Sequence, residues 1–346
     1  MKIHQRAVTY SAHGVKLCVL LLGLFMGCIA CGQTDPWLHY LPASDLNQGK
    51  KIVLISGDEE YRSEESMPML AKLLTERHGF ETVVLFAIDP ETGNINPEYQ
   101  QNIPGLSELR DADLMVIATR FRALPDEQMA HIDGFLRAGK PVIGLRTATH
   151  AFHFPEEVTS SFRHYSFNQS GGDWPGGFGG SILGETWIDH HGEHGTEGTR
   201  ALVNGLHAAA DHPILRGVHD IWVPSDVYGI RNTLANATIL LWGQPTAGMT
   251  PDSRVMWEKS TMPIAWTTSY QLPNGEQGEV FTSTMGASID FQNPDLRRLF
   301  VNATYALLGL SDRIKADLNV DPVGKYEPSM FGFGSHKKAQ TPSDYR

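Results

Sequence analysis

The chain has 346 residues, with 28 basic and 39 acidic side chains and a formal net charge of −11. That field repels polyanions and no basic cluster opposes it, which excludes nucleic acid as a partner. All three cysteines fall in the first 31 residues, so the rest of the chain works without a thiol nucleophile, a disulfide or a thiolate metal site.

In chain order, Lys2, Arg6 and Lys16 form a basic n-region ahead of an apolar run at residues 17–30. Such a run is short for a bilayer span but suits the h-region of an export signal over residues 1–31. Cys31, between Ala30 and Gly32, fits the acylated first residue of a lipoprotein, while cleavage near Ala30 fits ordinary secretion; both stay open. Removal of residues 1–31 takes three basic and no acidic side chains, moving the net charge from −11 to −14. No later apolar stretch approaches ~18 residues, so a lipid anchor is the expected membrane contact. Residues 32–50 read as a linker, 51–310 as the folded domain and 311–346 as a C-terminal extension.

Residues 51–57 are an apolar run ending in glycine, as in a buried parallel strand. A helix is expected from about Ser63, taken as its N-cap, to His78, with Glu64 and Glu65 at the positive end and Gly79 as its stop. Residues 82–86 read as a second strand and 113–119 as a third. Pro125 then opens a helix reaching Gly139, and residues 141–145 form a fourth strand. Beyond about residue 151 the rhythm gives way to loops rich in Gly, Trp and His, with short strands near 182–188 and 239–242. A last strand at 278–284 precedes a helix at 294–308, whose Arg297 and Arg298 read as its solvated face. Strands alternating with helices imply an α/β fold, a mostly parallel sheet covered on both faces, with a loop-rich second half.

Ligands of open α/β sheets bind beyond the carboxyl ends of the strands. The polar outliers gather there: Asp58, Glu59, Glu60 and Arg62 after the first strand, Arg120 and Arg122 after the third, and Arg146, Thr147 and His150 after the fourth. Glu59, Glu60 and Arg62 also fit a solvated loop with local ion pairs.

Val142-Ile143-Gly144-Leu145-Arg146-Thr147-Ala148-Thr149-His150-Ala151-Phe152 resembles the strand-turn-helix of ThuA-like proteins, the trehalose-utilisation family. Further segments resemble that family in order: Gly184-Glu185-Thr186-Trp187-Ile188-Asp189-His190-His191, Asp211-His212-Pro213-Ile214-Leu215-Arg216-Gly217, Ser225-Asp226-Val227-Tyr228 and residues 278–286. Residues 54–65 and 319–334 are similar to a subgroup of exported members. The resemblance implies a flavodoxin-like fold of the class I glutamine amidotransferase-like type over about residues 51–310. Two departures stand out. The turn that carries a cysteine in true amidotransferases reads Gly144-Leu145-Arg146-Thr147-Ala148, and a guanidinium is no nucleophile, so glutamine hydrolysis by the usual route is excluded. Gly286-Ala287 stands where many relatives end the last strand in Gly-His.

Asp189-His190-His191-Gly192-Glu193-His194-Gly195 is the densest set of potential ligands. It contains His-x-x-Glu-His, but that protease pattern needs a helix and two glycines argue for a loop. A loop can still hold a divalent metal through His190, Glu193 and His194, with a fourth ligand from His150 or Asp226. Substrate contact or acid–base work by these histidines is the other reading. Trp174, Trp187, Trp222, Trp242, Phe178 and Tyr228 suit either a sugar-stacking pocket or the core of the loop-rich half. His212 beside Pro213 reads as holding a turn.

The resemblance implies a sugar-processing enzyme, exported to the periplasm or cell envelope, acting on a carbohydrate or keto-sugar without a cofactor. In that expectation Glu60, His150 and His190 are catalytic, and Asp58, Arg62, Arg120, Arg146, Thr147, His191, Asp226 and Tyr228 contact substrate. A non-catalytic carbohydrate-binding lipoprotein and a metal-dependent hydrolase are the alternatives. Catalysis requires Glu60, His150 and His190 to converge in one crevice.

Overall fold

A computed structural model describes residues 35–203, 211–231, 234 and 236–346. The expected export signal lies outside the described residues. Among the described residues no helix is long and apolar enough to cross a membrane.

Among the described residues, ten strands form one sheet: β1 (Trp37–Tyr40), β2 (Lys51–Gly57), β3 (Glu81–Leu85), β4 (Leu114–Thr119), β5 (Val142–Leu145), β6 (Gly198–Leu202), β7 (Trp222–Val223), β8 (Thr238–Thr246), β9 (Met262–Gln271) and β10 (Gln277–Ser283). Their order is β1-β3-β2-β4-β5-β10-β9-β8-β6-β7. The centre, β3-β2-β4-β5-β10, is parallel, and antiparallel strands extend it on both sides. The apolar runs make these central strands, because a parallel strand is buried on both faces. Alternate residues divide between two cores. Ile52, Leu54, Val84 and Val116 pack with Leu70 of α1 (Ser63–His78) and Phe300 of α3 (Pro294–Leu307). Val53, Ile55, Val83 and Ile117 pack with Met129 and Phe135 of α2 (Asp126–Arg137) on the other face.

The expected elements recur, strands β6, β7 and β9 add to them without counterpart in the sequence reading, and four local differences stand out. Ser63 is the first residue of α1 rather than its cap; Arg62 precedes it in the left-handed region at φ 61°, and Ser63 Oγ pairs with Ser56 Oγ at 2.9 Å. Residues 37–40, read as linker, form edge strand β1 against β3, with Leu38 fully buried. No strand forms at residues 182–188. Gly179–Leu183 is a single π-helical turn whose Leu183 carbonyl accepts from Trp266 Nε1 (2.7 Å) and Thr282 Oγ1 (3.1 Å), so tertiary bonds replace a ladder. Arg297 is buried, donating to the carbonyls of Val320, Phe291 and Gln292. His212 does hold its turn, its Nδ1 accepting from Ile214 N at 3.3 Å.

The C-terminal extension crosses the carboxyl edge of the central strands. Tyr326 Oη donates to Ser288 O (2.7 Å), Ser329 bonds the Glu65 carboxylate through N and Oγ, and Gly332 N donates to Glu60 O (2.8 Å).

Candidate active site

Because β2, β4, β5 and β10 run parallel, their following residues emerge on one side. The turn after β5 is tight: Arg146 has φ 46° and opens a 3₁₀ turn, Arg146–His150. A bulky, charged residue at positive φ is strained and persists only where its surroundings hold it. Here they do. Arg146 Nη1 donates to the carbonyls of Asp226 (2.6 Å) and Thr284 (2.8 Å), and Nη2 donates to Asp226 Oδ1 (2.7 Å) and Tyr61 Oη (3.0 Å). Its guanidinium lies 3.8 Å from the ring centre of Tyr228 and 4.4 Å from that of Tyr61. With 1% of its surface exposed, Arg146 is a pillar that fixes Asp226.

Asp226 in turn organises two histidines. Oδ2 accepts from His190 Nδ1 at 2.6 Å, and Oδ1 lies 3.2 Å from His194 Nδ1. The far nitrogen of His194, Nε2, is 3.0 Å from Glu60 Oε1. A continuous chain therefore runs Glu60–His194–Asp226–His190, with the two imidazole centres 4.8 Å apart. Burial alone would raise the Asp226 carboxyl, but the Arg146 charge and the bonds from His190 and His194 override it and hold the group well below the usual carboxylate range. Hydrogen bonds to Asp226 and Glu60 push His194 up to about 9 against a modest desolvation cost, so it is a cation at neutral pH. His190 donates from Nδ1, which in the neutral ring leaves the lone pair on Nε2.

His150 joins this cluster through ring contacts, 5.2 Å from Trp187 and 6.0 Å from Tyr228, while His190 lies 5.7 Å and 5.4 Å from the same two rings. Burial, reinforced by Arg120 and Arg146, holds His150 well below the ordinary histidine range, so it is neutral. The Trp187 indole N–H beside it is buried and has no hydrogen-bond partner among the described residues. Glu60 and His190 are thus joined through His194 and Asp226, while His150 meets the Trp187 and Tyr228 rings that also flank His190.

Other expected residues do different things. Asp58 accepts from the backbone of Glu60 (2.8 Å) and Tyr61 (3.0 Å) and from Thr147 Oγ1 (2.6 Å), tying the β2 loop to the Arg146 turn. Glu59, Glu60 and Arg62 are buried rather than solvated. Glu59 bridges Arg120 and Arg122, and Arg120 Nε also lies 3.7 Å from Glu60. Arg62 points away from the histidines and donates to Gly332 O and Ser335 Oγ of the C-terminal extension. His191 Nε2 bonds Ser260 O at 2.7 Å, outside the chain of acids and histidines. For a metal, Asp226 takes the position expected of Glu193: ligand atoms of His190, His194 and Asp226 all lie within 4.8 Å of one another, whereas Glu193 is exposed. Tyr61, missed in the sequence, bridges Arg146 and His194, its Oη 3.4 Å from His194 Nδ1. Its place directly after Glu60 was the available signal. In the sequence His194 is a candidate for metal ligation or for acid–base work, but nothing in a loop sequence reveals that both its nitrogens meet carboxylates.

Fold and site together define an α/β domain of the amidotransferase-like class in which an arginine fills the nucleophile turn and a histidine–carboxylate chain stands in front of it. The chain belongs to the ThuA family: the trehalose-utilisation family model matches residues 51–305. Among solved structures, it is similar to a ThuA-like protein from Bacteroides uniformis ATCC 8492, with 12% identity and TM-score 0.46 over 78% of this chain and 95% of that one. A ThuA-like protein from Parabacteroides merdae ATCC 43184 shares 17% identity, with TM-score 0.44 over 86% of this chain and 99% of that one. No curated protein matches it.

Proposed function

We propose that this ThuA-family protein is an exported enzyme that moves protons on a carbohydrate or keto-sugar, with no nucleic-acid partner. The observation that carries this reading is the sharing of one buried carboxylate, Asp226, by two imidazoles, one of which, His194, also meets Glu60. His190, oriented through Nδ1, offers Nε2 as a base, which takes one proton from a hydroxyl or from the carbon beside a carbonyl. His194, a cation up to about pH 9, supplies the balancing proton and charge to the oxygen that becomes negative. Glu60 holds that cation from its other side, His150 and the unpartnered Trp187 N–H offer neutral polar contacts, and Arg120 bounds the crevice. Export to the periplasm or cell envelope rests on the basic and apolar pattern of residues 1–31, with Cys31 as a candidate lipid anchor.

A second reading has its own support. His190, His194 and Asp226 form a three-ligand set of the kind that holds a divalent metal, which would make the same crevice a metal-dependent hydrolase site. The two readings separate on His194, whose lone pair a metal needs and whose proton the acid–base reading needs. Depletion profiling of the full chain against glycosides and keto-glycosides tests both. The acid–base reading expects one class to be consumed after exhaustive chelation, with His190→Ala slower by about 10²–10⁴-fold. Equal consumption by His190→Ala sinks it. Binding without consumption would favour the carbohydrate-binding alternative.

A further inference from the structure

The C-terminal extension reaches the site and leaves an aromatic ring bare beside it. Phe331 packs with its ring centre 5.5 Å from His194 and 5.3 Å from Tyr61. Two residues on, the Phe333 ring lies 5.0 Å from the Arg120 guanidinium, which sits 4.4 Å from Phe121 as well. Between the two phenylalanines, Gly332 N donates to Glu60 O at 2.8 Å, and Gly332 O with Ser335 Oγ accepts from the fully buried Arg62. The segment is therefore fastened on both sides of Phe333 by the loop that carries Glu60. Yet Phe333 is 60% exposed. An apolar ring held in a fixed position, unburied, within one residue of a contact to Glu60, is a surface prepared for a ligand with its own apolar face.

We propose that Phe333 is a stacking wall of the active site, donated by the C-terminal extension, and that its ligand is the C–H face of a pyranose ring. This rests on the carbohydrate reading above and specifies it. A pyranose presents hydroxyls around its rim and C–H bonds on its faces. The Arg120 guanidinium lies over one part of the Phe333 ring and 3.7 Å from Glu60, so a pyranose stacked on the exposed remainder brings rim hydroxyls to the edge that Arg120 and Glu60 form. The preference is for rings whose face is not interrupted by an axial hydroxyl, and against open-chain sugars. Arg62, expected from sequence to touch substrate, acts here as a positioning residue that fixes the wall.

Saturation-transfer NMR of the full chain, with methyl glucopyranosides, the corresponding keto-glycosides and the open-chain sugar alcohol sorbitol as probes, tests this. The expected result is pyranoside binding with saturation strongest on one ring face, sorbitol silent, and Phe333→Ala weaker by about three- to tenfold. Phe333→Trp retains binding, and the thermal midpoint of Phe333→Ala stays at the wild-type value because the ring is exposed. Pyranoside binding that is identical in wild type and Phe333→Ala overturns the wall while leaving the carbohydrate reading intact. No binding of any pyranoside by the wild type overturns both.

Discussion

Arg146, Asp226 and the two histidines form one connected set, in which a buried guanidinium holds the carboxylate that both imidazoles meet. Where relatives of the fold place a nucleophile, a guanidinium that cannot react fixes a carboxylate that can orient. Removing Arg146 leaves Asp226 buried without its main cation, so Arg146→Leu is expected to cost about 3–5 kcal/mol in urea unfolding; a loss under about 1 kcal/mol would remove the pillar from this account. His194 gives the pH signature. Its folded value is raised to about 9 above its unfolded one, so its contribution to stability is complete below pH 6.5 and disappears as pH rises through 9. Asp226 behaves oppositely: its value is depressed, so its contribution holds above the unfolded carboxylate value and fades only as pH falls toward the folded one. Imidazole NMR titration should place His194 near 9 and return it toward 6.5 in Asp226→Asn; a wild-type value near 6.5 contradicts the shared-carboxylate geometry. The sequence brought the right loop to notice but not the roles within it. Asp226 and His190 are 36 residues apart, and only the packed turn shows that they bond.

At the level of elements, legibility followed burial. β2, β4 and β5 are continuous apolar runs because helices cover both their faces, and α1 and α3 carry period-3.6 stripes, so their limits could be read to within a residue or two. β1 was not readable, since a four-residue edge strand with exposed His39 has no pattern to distinguish it from a linker. The π-helical turn at Gly179–Leu183 was misread for a different reason: its backbone is satisfied by Trp266 and Thr282 from remote strands. That turn supports the Arg146 region closely. A Cβ at Gly179 would lie 2.1 Å from Thr149 O and 2.9 Å from Glu185 O, both backbone atoms that cannot rotate aside. Gly179→Ala is therefore expected to cost about 1–3 kcal/mol and to slow turnover through displacement of the His150 turn. Thermal unfolding and activity unchanged together would show that this contact carries no load.

For the whole molecule, the sheet places Glu60, Arg120, Arg146 and His150 beyond the carboxyl ends of its parallel strands, and the C-terminal extension bonds the loop that carries Glu60. The acidic net charge of −11 matches a neutral or cationic ligand better than a polyanion. Family membership defines the scaffold, while the chemistry proposed for it depends on His190, His194, Asp226 and Glu60 acting together without a metal. The pH profile of turnover after exhaustive chelation addresses this most directly, measured with whichever glycoside or keto-glycoside the full chain consumes. The rate is expected to survive chelation and to fall as pH rises through about 9, where His194 loses its proton. A rate abolished by chelation and restored by zinc, or one unchanged through pH 9, would contradict it.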